Sequence, residues 1–380
     1  MNMKKILLLS FLTVLVTLMF SAKVNAATYM YTKRDAILRN GYTNADDYGP
    51  SSILKDGVRI AVIKGTKVKI LGKVNDRYYK VVVEADNYYY LKDRTGYIIA
   101  KSLTSDKVDK DPASERGLSV SDKTALLKNV MTLLQASELS DGNINILYPT
   151  PAAVGGEKQN TKTIEGKDVL RTAGYNFVTN GTPFKSIRTL NNGHNYYLSC
   201  SAFVGAIYNG TFGIDVTKPN GALYWSTAYQ GYGTTDAKLF RVVKSTKTAG
   251  KKLAERSEMQ IGDSISGTIN KNAKPSNSNY RYAQKSGHIM LYIGDSIIAH
   301  STVKGLTLSY ADRQKNKVSN YYLVPGTRTT INNSTNANVE YGHRFDKAIY
   351  LVRINEGVKK ERNRIMISEN KKKFDIVSIK

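Results

Sequence analysis

One cysteine and two histidines carry the chemistry that this chain can be read for. Cys200 lies in the run Leu198-Ser199-Cys200-Ser201-Ala202-Phe203-Val204, and His288 and His300 follow it by 88 and 100 residues. A thiol with an imidazole base is the pairing needed for nucleophilic attack on a carbonyl, and a third polar group that orients the base completes it. A lone cysteine cannot staple the chain internally. Cys200 is therefore either an inert buried residue or one kept for its thiolate.

The local patterns say how these residues are held. From Ser201 to Tyr208, the residues Phe203, Val204 and Ile207 share one helical face, and Asn209-Gly210 reads as a stop. Cys200 then occupies the first turn of a helix, where free N–H groups and the macrodipole lower a thiol's pKa. His288 precedes the apolar run Ile289-Met290-Leu291-Tyr292-Ile293. Gly294-Asp295-Ser296 turns the chain, and Ile297-Ile298-Ala299 leads to His300. Side chains alternate along strands, so a three-residue loop sets the two histidines on one face as diagonal neighbours, whereas a two-residue loop separates them. On spacing alone, a hairpin with histidines merely at its strand ends is equally open. His194 and His343 read as surface residues. Trp225, the one tryptophan, either walls a cleft or packs in the core. No metal is expected, because Cys200 and the histidines lack zinc-ligand spacing, and no cofactor is expected.

The elements around these residues imply an exported, multi-part protein. Lys4 and Lys5, the apolar run Ile6 to Phe20, and Val24-Asn25-Ala26 form the three regions of a secretory signal peptide over 1–26, with a retained anchor as the competing reading. The mature chain is expected to be secreted and associated with the cell wall. The formal net charge is +25. Without Lys4, Lys5 and Lys23 of the leader it is +22, which implies an anionic partner. Outside a bacterial cell this means peptidoglycan and anionic wall polymers. Nucleic acid as physiological target and stable membrane insertion after signal cleavage are not expected. Residues 27–105 hold short β-branched runs (Arg59–Ile63, Lys67–Leu71, Tyr78–Val83, Thr95–Ile99) between glycine turns, the pattern of a small all-β barrel. Its tyrosines Tyr78, Tyr79 and Tyr88 to Tyr90 either line a groove or alternate in and out of a core. Residues 106–165 read as a linker and a helix, opening at Ser121 as N-cap with Val120 stapled onto Ala125, and then irregular chain from 139. Residues 166–355 follow as one domain, helix first and then strands. Residues 356–380 form a basic tail, either a terminal helix or a disordered arm.

These residues also carry a family resemblance. Ser199-Cys200-Ser201-Ala202-Phe203-Val204, Ile261-Gly262-Asp263, and Gly287-His288-Ile289-Met290-Leu291-Tyr292-Ile293-Gly294-Asp295 with Ile298-Ala299-His300-Ser301 resemble the NlpC-type cell-wall cysteine peptidases. Ala36-Ile37-Leu38-Arg39, Lys64-Gly65-Thr66-Lys67-Val68, Tyr78-Tyr79-Lys80-Val81 and Gly96-Tyr97-Ile98, in that order, resemble bacterial SH3-type wall-binding domains. The resemblance implies an α+β fold: a papain-like peptidase domain preceded by a small all-β SH3-like barrel. It implies Cys200 as nucleophile, His288 as general base and His300 as the orienting residue. The implied activity is hydrolysis of peptidoglycan stem peptides, at the γ-D-glutamyl–diamino acid bond. An N-acetylmuramoyl-L-alanine amidase or transferase, and a non-catalytic wall-binding protein, are the alternatives. Four further positions are expected at the substrate. Ser199 replaces the family's acidic residue, which is thought to read a free amino group. Ser201 adjoins the N–H groups facing an oxyanion, Phe177 replaces the family's tyrosine unless Tyr175 does that work, and Trp225 lies beside the cleft. The stretches 181–200, 270–280 and 313–345 read as insertions that reshape it.

Overall fold

The structure, a computed structural model, describes residues 28–44, 49–84, 94–109, 117–147, 189–190, 193–198, 200–213, 240–245, 258–268, 287–302, 305–310, 321–323, 331–333, 348–354, 363 and 365–367. Over these residues it is an α+β protein with two large antiparallel sheets and helices packed between them. Residues 1–26, expected to form a signal peptide, lie outside the described residues, and among the described helices none is long and apolar enough to cross a membrane.

The first sheet takes β1 (Tyr29–Thr32), β2 (Ala36–Arg39), β3 (Val58–Val62), β4 (Lys67–Asn75), β5 (Tyr78–Glu84), β6 (Thr95–Ile99) and β7 (Leu103–Thr104) in the order β3-β2-β6-β5-β4-β1-β7. The β-branched runs fall on β3 to β6, and Ala36–Arg39 of the resemblance forms β2. Tyr29–Thr32, Leu103–Thr104 and a short helix α1 (Ser52–Asp56) are additions that no run signalled. Each is too short for periodicity to speak. Gly96 is required where β6 crosses β2, because a Cβ there would sit 2.6 Å from the Arg39 carbonyl oxygen. Tyr78 is fully buried and Tyr79 partly so, as alternation would have it, while Tyr88 to Tyr90 lie outside the described residues.

Helix α2 (Val120–Leu134) is longer than its spacing signalled and starts two residues earlier than expected. Its N-cap is Ser119, not Ser121, in a capping box: the Ser119 hydroxyl accepts from the Asp122 N–H at 3.2 Å, and the Asp122 carboxylate accepts from the Ser119 N–H at 3.1 Å. The reciprocal pair satisfies two groups at once, which Ser121 could not do with Thr124. Val120, proposed as a staple, is instead the first helical residue. α2 is buried along most of its length, packed on β3 on one side and on the helix of Cys200 on another. A short α3 (Ala136–Leu139) follows. Chain expected to be irregular then forms β8 (Ile144–Leu147), in which Ile144 and Ile146 are buried. Four residues of alternation are easily masked by the neighbouring glycine and asparagines, and parallel pairing with β10 (His194–Tyr197) is what makes them a strand.

Helix α4 (Cys200–Phe212) lies against the second sheet. That sheet joins β11 (Phe240–Ser245), β12 (Ser264–Thr268), β13 (Gly287–Gly294), β14 (Ile297–Thr302), β15 (Gly305–Tyr310), β16 (Tyr321–Leu323), β17 (Ile331–Asn333) and β18 (Ala348–Ile354) in the order β11-β18-β12-β13-β14-β15-β16-β17. Near the C-terminus, β19 (Met366–Ile367) pairs in parallel with β9 (Thr189–Leu190). Asn129 of α2 grips this segment, donating to the Asn363 carbonyl at 3.0 Å and accepting from the Ile365 N–H at 2.9 Å. One apolar cluster runs from Ile37 and Val62 through Leu126 and Leu127 to Phe203, Ile207 and Leu291. The first sheet therefore shares its core with α2, α4 and the second sheet.

Candidate functional site

Cys200 is the first residue of α4 and is 7% exposed. The helix ends beyond the expected stop, at Phe212 with Gly213 left-handed after it (φ 62). Thr211 and Phe212 are fully buried, and that burial outweighs the weak helix preference of Asn209-Gly210. The approach to Cys200 is fixed from two sides. The Leu198 N–H donates to the Leu147 carbonyl at 2.8 Å, continuing the β8–β10 ladder. The Ser301 hydroxyl donates to the Leu198 carbonyl at 2.7 Å. This second bond ties the residue two before Cys200 to the residue directly after His300. It sets the start of α4 beside β14.

The hairpin reaches the expected register by another route. Counted from sequence, Gly294 belongs to a three-residue loop. In the structure it ends β13, and the turn is the two residues Asp295 and Ser296, both left-handed (φ 52 and 60). A bulge between Tyr292 and Gly294 supplies the odd residue. Leu291 lies opposite Ala299 and Tyr292 opposite Ile298, a count that carries on to Met290 opposite His300. Position 288, two residues before Met290, is thus on the same pleat face as position 300, one diagonal step away. The His288 backbone pairs with Gly267 of β12, and its side chain lies outside the described residues.

His300 is fully buried, and its Nε2 shares a hydrogen bond of 2.9 Å with the Ser309 hydroxyl of β15. Burial pushes its pKa down to about 3, so the ring is neutral at physiological pH. Ser309 and Thr307 stand on the polar face of β15, and both are buried. A strand whose polar positions lie inward is a signal for a polar site, and Ser309 was readable that way in Leu306-Thr307-Leu308-Ser309. The low pKa has a consequence for stability. The unfolded chain binds a proton at His300 near pH 6.5, and the folded chain does so only near 3. Between these values the unfolded state holds the extra proton, so stability falls as pH drops, by up to about 1.4 kcal/mol per unit. Urea midpoints measured from pH 7 to pH 4 should fall less steeply for His300→Gln than for the native chain. Parallel slopes would reject a buried neutral imidazole.

Ile261-Gly262-Asp263 does structural work that the sequence did not announce. Gly262 is left-handed (φ 94), and a Cβ there would lie 2.6 Å from Leu118. Its carbonyl accepts from the Tyr208 hydroxyl at 2.8 Å, holding α4. The Asp263 carbonyl accepts from the Tyr292 N–H at 2.8 Å, and the Asp263 carboxylate takes both Arg353 Nε at 2.7 Å and Nη2 at 2.8 Å. The motif thereby fixes α4, β13 and β18 to one another.

Of the residues expected at the substrate, Ser199, Phe177 and Trp225 lie outside the described residues, and so does the side chain of Ser201. The structure sets the start of the Cys200 helix beside the strand that carries His300, and the contact between them is made by Ser301, not by His300. Among the described residues no group of three histidine, cysteine, aspartate or glutamate side chains could hold a metal ion.

No family model matches the chain, and no curated protein matches it. Among solved structures, NlpC2 from Trichomonas vaginalis is similar at 12% identity with a TM-score of 0.21, over 80% of this chain and 74% of that one. NlpC1 from the same organism is similar at 12% identity and a TM-score of 0.21, over 80% of this chain and 70% of that one.

Proposed function

We propose that the chain is a secreted, wall-associated cysteine peptidase that cleaves amide bonds of peptidoglycan stem peptides. The observation that carries this reading is the tie from Ser301 to Leu198, which sets the start of the Cys200 helix beside the strand of His300. In the reaction, the Cys200 thiol gives its proton to the His288 imidazole, and Sγ attacks the carbonyl carbon. First-turn N–H groups of α4, which have no intrahelical acceptor, receive the oxyanion. The imidazolium then protonates the leaving amine, and water releases the acyl group from sulfur. His300, buried and neutral, orients the base without taking a charge itself.

The favoured bond is the γ-D-glutamyl–diamino acid bond. Ser199 in place of an aspartate removes a charged partner for a substrate ammonium, a contact worth about 1–3 kcal/mol. The enzyme is therefore expected to act on stem peptides still attached to muramic acid. Mass spectrometry of fragments released from purified sacculi, beside the rate on a soluble free-amine tetrapeptide, tests both points. Fragments cut within the stem, and faster on sacculi, are expected. Release of whole stem peptides would favour an N-acetylmuramoyl-L-alanine amidase, an acceptor-linked product a transferase, and tight wall binding with no product a non-catalytic wall-binding protein.

A further inference from the structure

Asp35 and Arg39 belong to the first sheet, far in sequence from Cys200 and the histidines, yet both are at most 1% exposed. Asp35 joins four elements. Its Oδ2 accepts from Lys123 Nζ of α2 at 2.7 Å and from the Ile261 N–H at 2.9 Å. Its Oδ1 accepts from the Lys64 N–H at 3.0 Å, and its carbonyl accepts from the Asp295 N–H at 3.0 Å. Arg39 bridges two carboxylates, with Nη1 on Asp56 at 2.8 Å and Nη2 on Asp295 at 2.9 Å. The Ser102 hydroxyl takes the other Asp295 oxygen at 2.8 Å, and Arg34 donates to the Ser296 hydroxyl. Both residues of the histidine hairpin's turn are thus held by the first sheet and the connections between its strands.

The nucleophile's helix is referred to the same anchor. Lys123 places α2, and α2 carries α4, with Asn129 Nδ2 donating to Thr211 Oγ1 at 2.9 Å. Buried ion pairs are weak stabilisers for the desolvation they require, and their better-attested use is to select one arrangement among several. Here the selected arrangement is that of α4 against the β13–β14 hairpin. We infer that Asp35 and Arg39 are positioning residues: the first sheet is the common mount that sets the Cys200 helix against the histidine hairpin. This rests on the reading of Cys200 and the histidines as the reacting groups. The first sheet then acts on catalysis through geometry, whatever it binds on its outer face.

The test uses the full mature chain and two readouts. One is the rate of Cys200 alkylation by iodoacetamide, which needs no substrate. The other is kcat and KM on a soluble muropeptide. Asp295→Asn, still melting cooperatively, should lower kcat about 10- to 100-fold with KM changed by less than about twofold, because small misplacements at a reacting pair carry penalties of that size. Its alkylation rate should change several-fold as well, and Arg39→Gln added to it should lower kcat little further, since Arg39 meets the hairpin through Asp295, even though losing the Asp56 pair costs stability. Ser102→Ala keeps both Arg39 ion pairs and should shift both readouts the same way by a smaller factor; it decides the matter if Asp295→Asn does not fold. Native kcat and native alkylation in the folded variants would overturn the inference, and so would a loss that vanishes on cooling. If native protein leaves every wall substrate intact, the peptidase reading fails, while the alkylation rates still judge the mount.

Discussion

Replacement of Cys200 by alanine is expected to abolish release of soluble fragments from walls, with a loss of at least about 10⁴-fold in kcat. Cys200 stands at the start of α4, 7% exposed, in a chain with no other thiol. Nothing else can form the acyl-sulfur intermediate. Complete alkylation of native protein should give the same loss. His288→Ala should lose about 10²–10⁴-fold, the usual penalty for removing a general base. His300→Gln or His300→Asn should retain part of the rate, since either amide can still accept or donate where the imidazole met Ser309. Turbidity clearing of sacculi by folded Cys200→Ala protein, at anything near the native rate, would remove the thiol from the mechanism.

Deleting residues 27–105 is expected to cost the fold, not merely wall affinity. A tethered wall-binding module could be removed cleanly. This sheet covers one side of α2 and continues the apolar core that reaches Phe203 and Leu291. Its removal also takes Asp35 from Lys123, and Arg39 from Asp295, both buried pairs with side chains at most 1% exposed. Breaking a buried pair from one side costs about 3–5 kcal/mol each, less where water enters the new surface. Set beside a typical total stability of about 5–15 kcal/mol, two such losses plus an uncovered helix face leave no cooperative fold. Circular dichroism melting and gel filtration of the truncated chain check this. A soluble monomer with a sharp transition and native alkylation of Cys200 would mean that the two parts stand independently.

The placement of the chemistry was legible at short range. Apolar spacing after Cys200 marked a helix that begins at the thiol, and alternation around Gly294-Asp295-Ser296 marked a hairpin with two histidines on one face. Both signals are local, because helix and strand periods are written into neighbouring residues. Even so, the hairpin reached its register through a two-residue turn and a bulge, which side-chain alternation cannot distinguish from a three-residue loop. The Ser119 cap was missed because two serines compete at that site, and only the position of Asp122 three residues on picks one.

What only the tertiary structure decided is how the parts meet. By itself the sequence determined an α+β chain with a β-rich first part, a thiol at a helix start and a histidine hairpin beyond it. It presented residues 27–105 and 106–165 as a module and a connection, since charge and proline between two patterned regions look like a boundary. No local pattern in the sequence marks Asp35, Arg39, Lys123 or Asp295 as buried. Their burial is a property of partners 88 residues apart for Lys123 and Asp35 and 256 apart for Arg39 and Asp295. No local period encodes such a pairing. Charges leave water only when the fold brings an opposite charge to meet them, and that meeting exists only once the sheet, α2 and the hairpin have packed together.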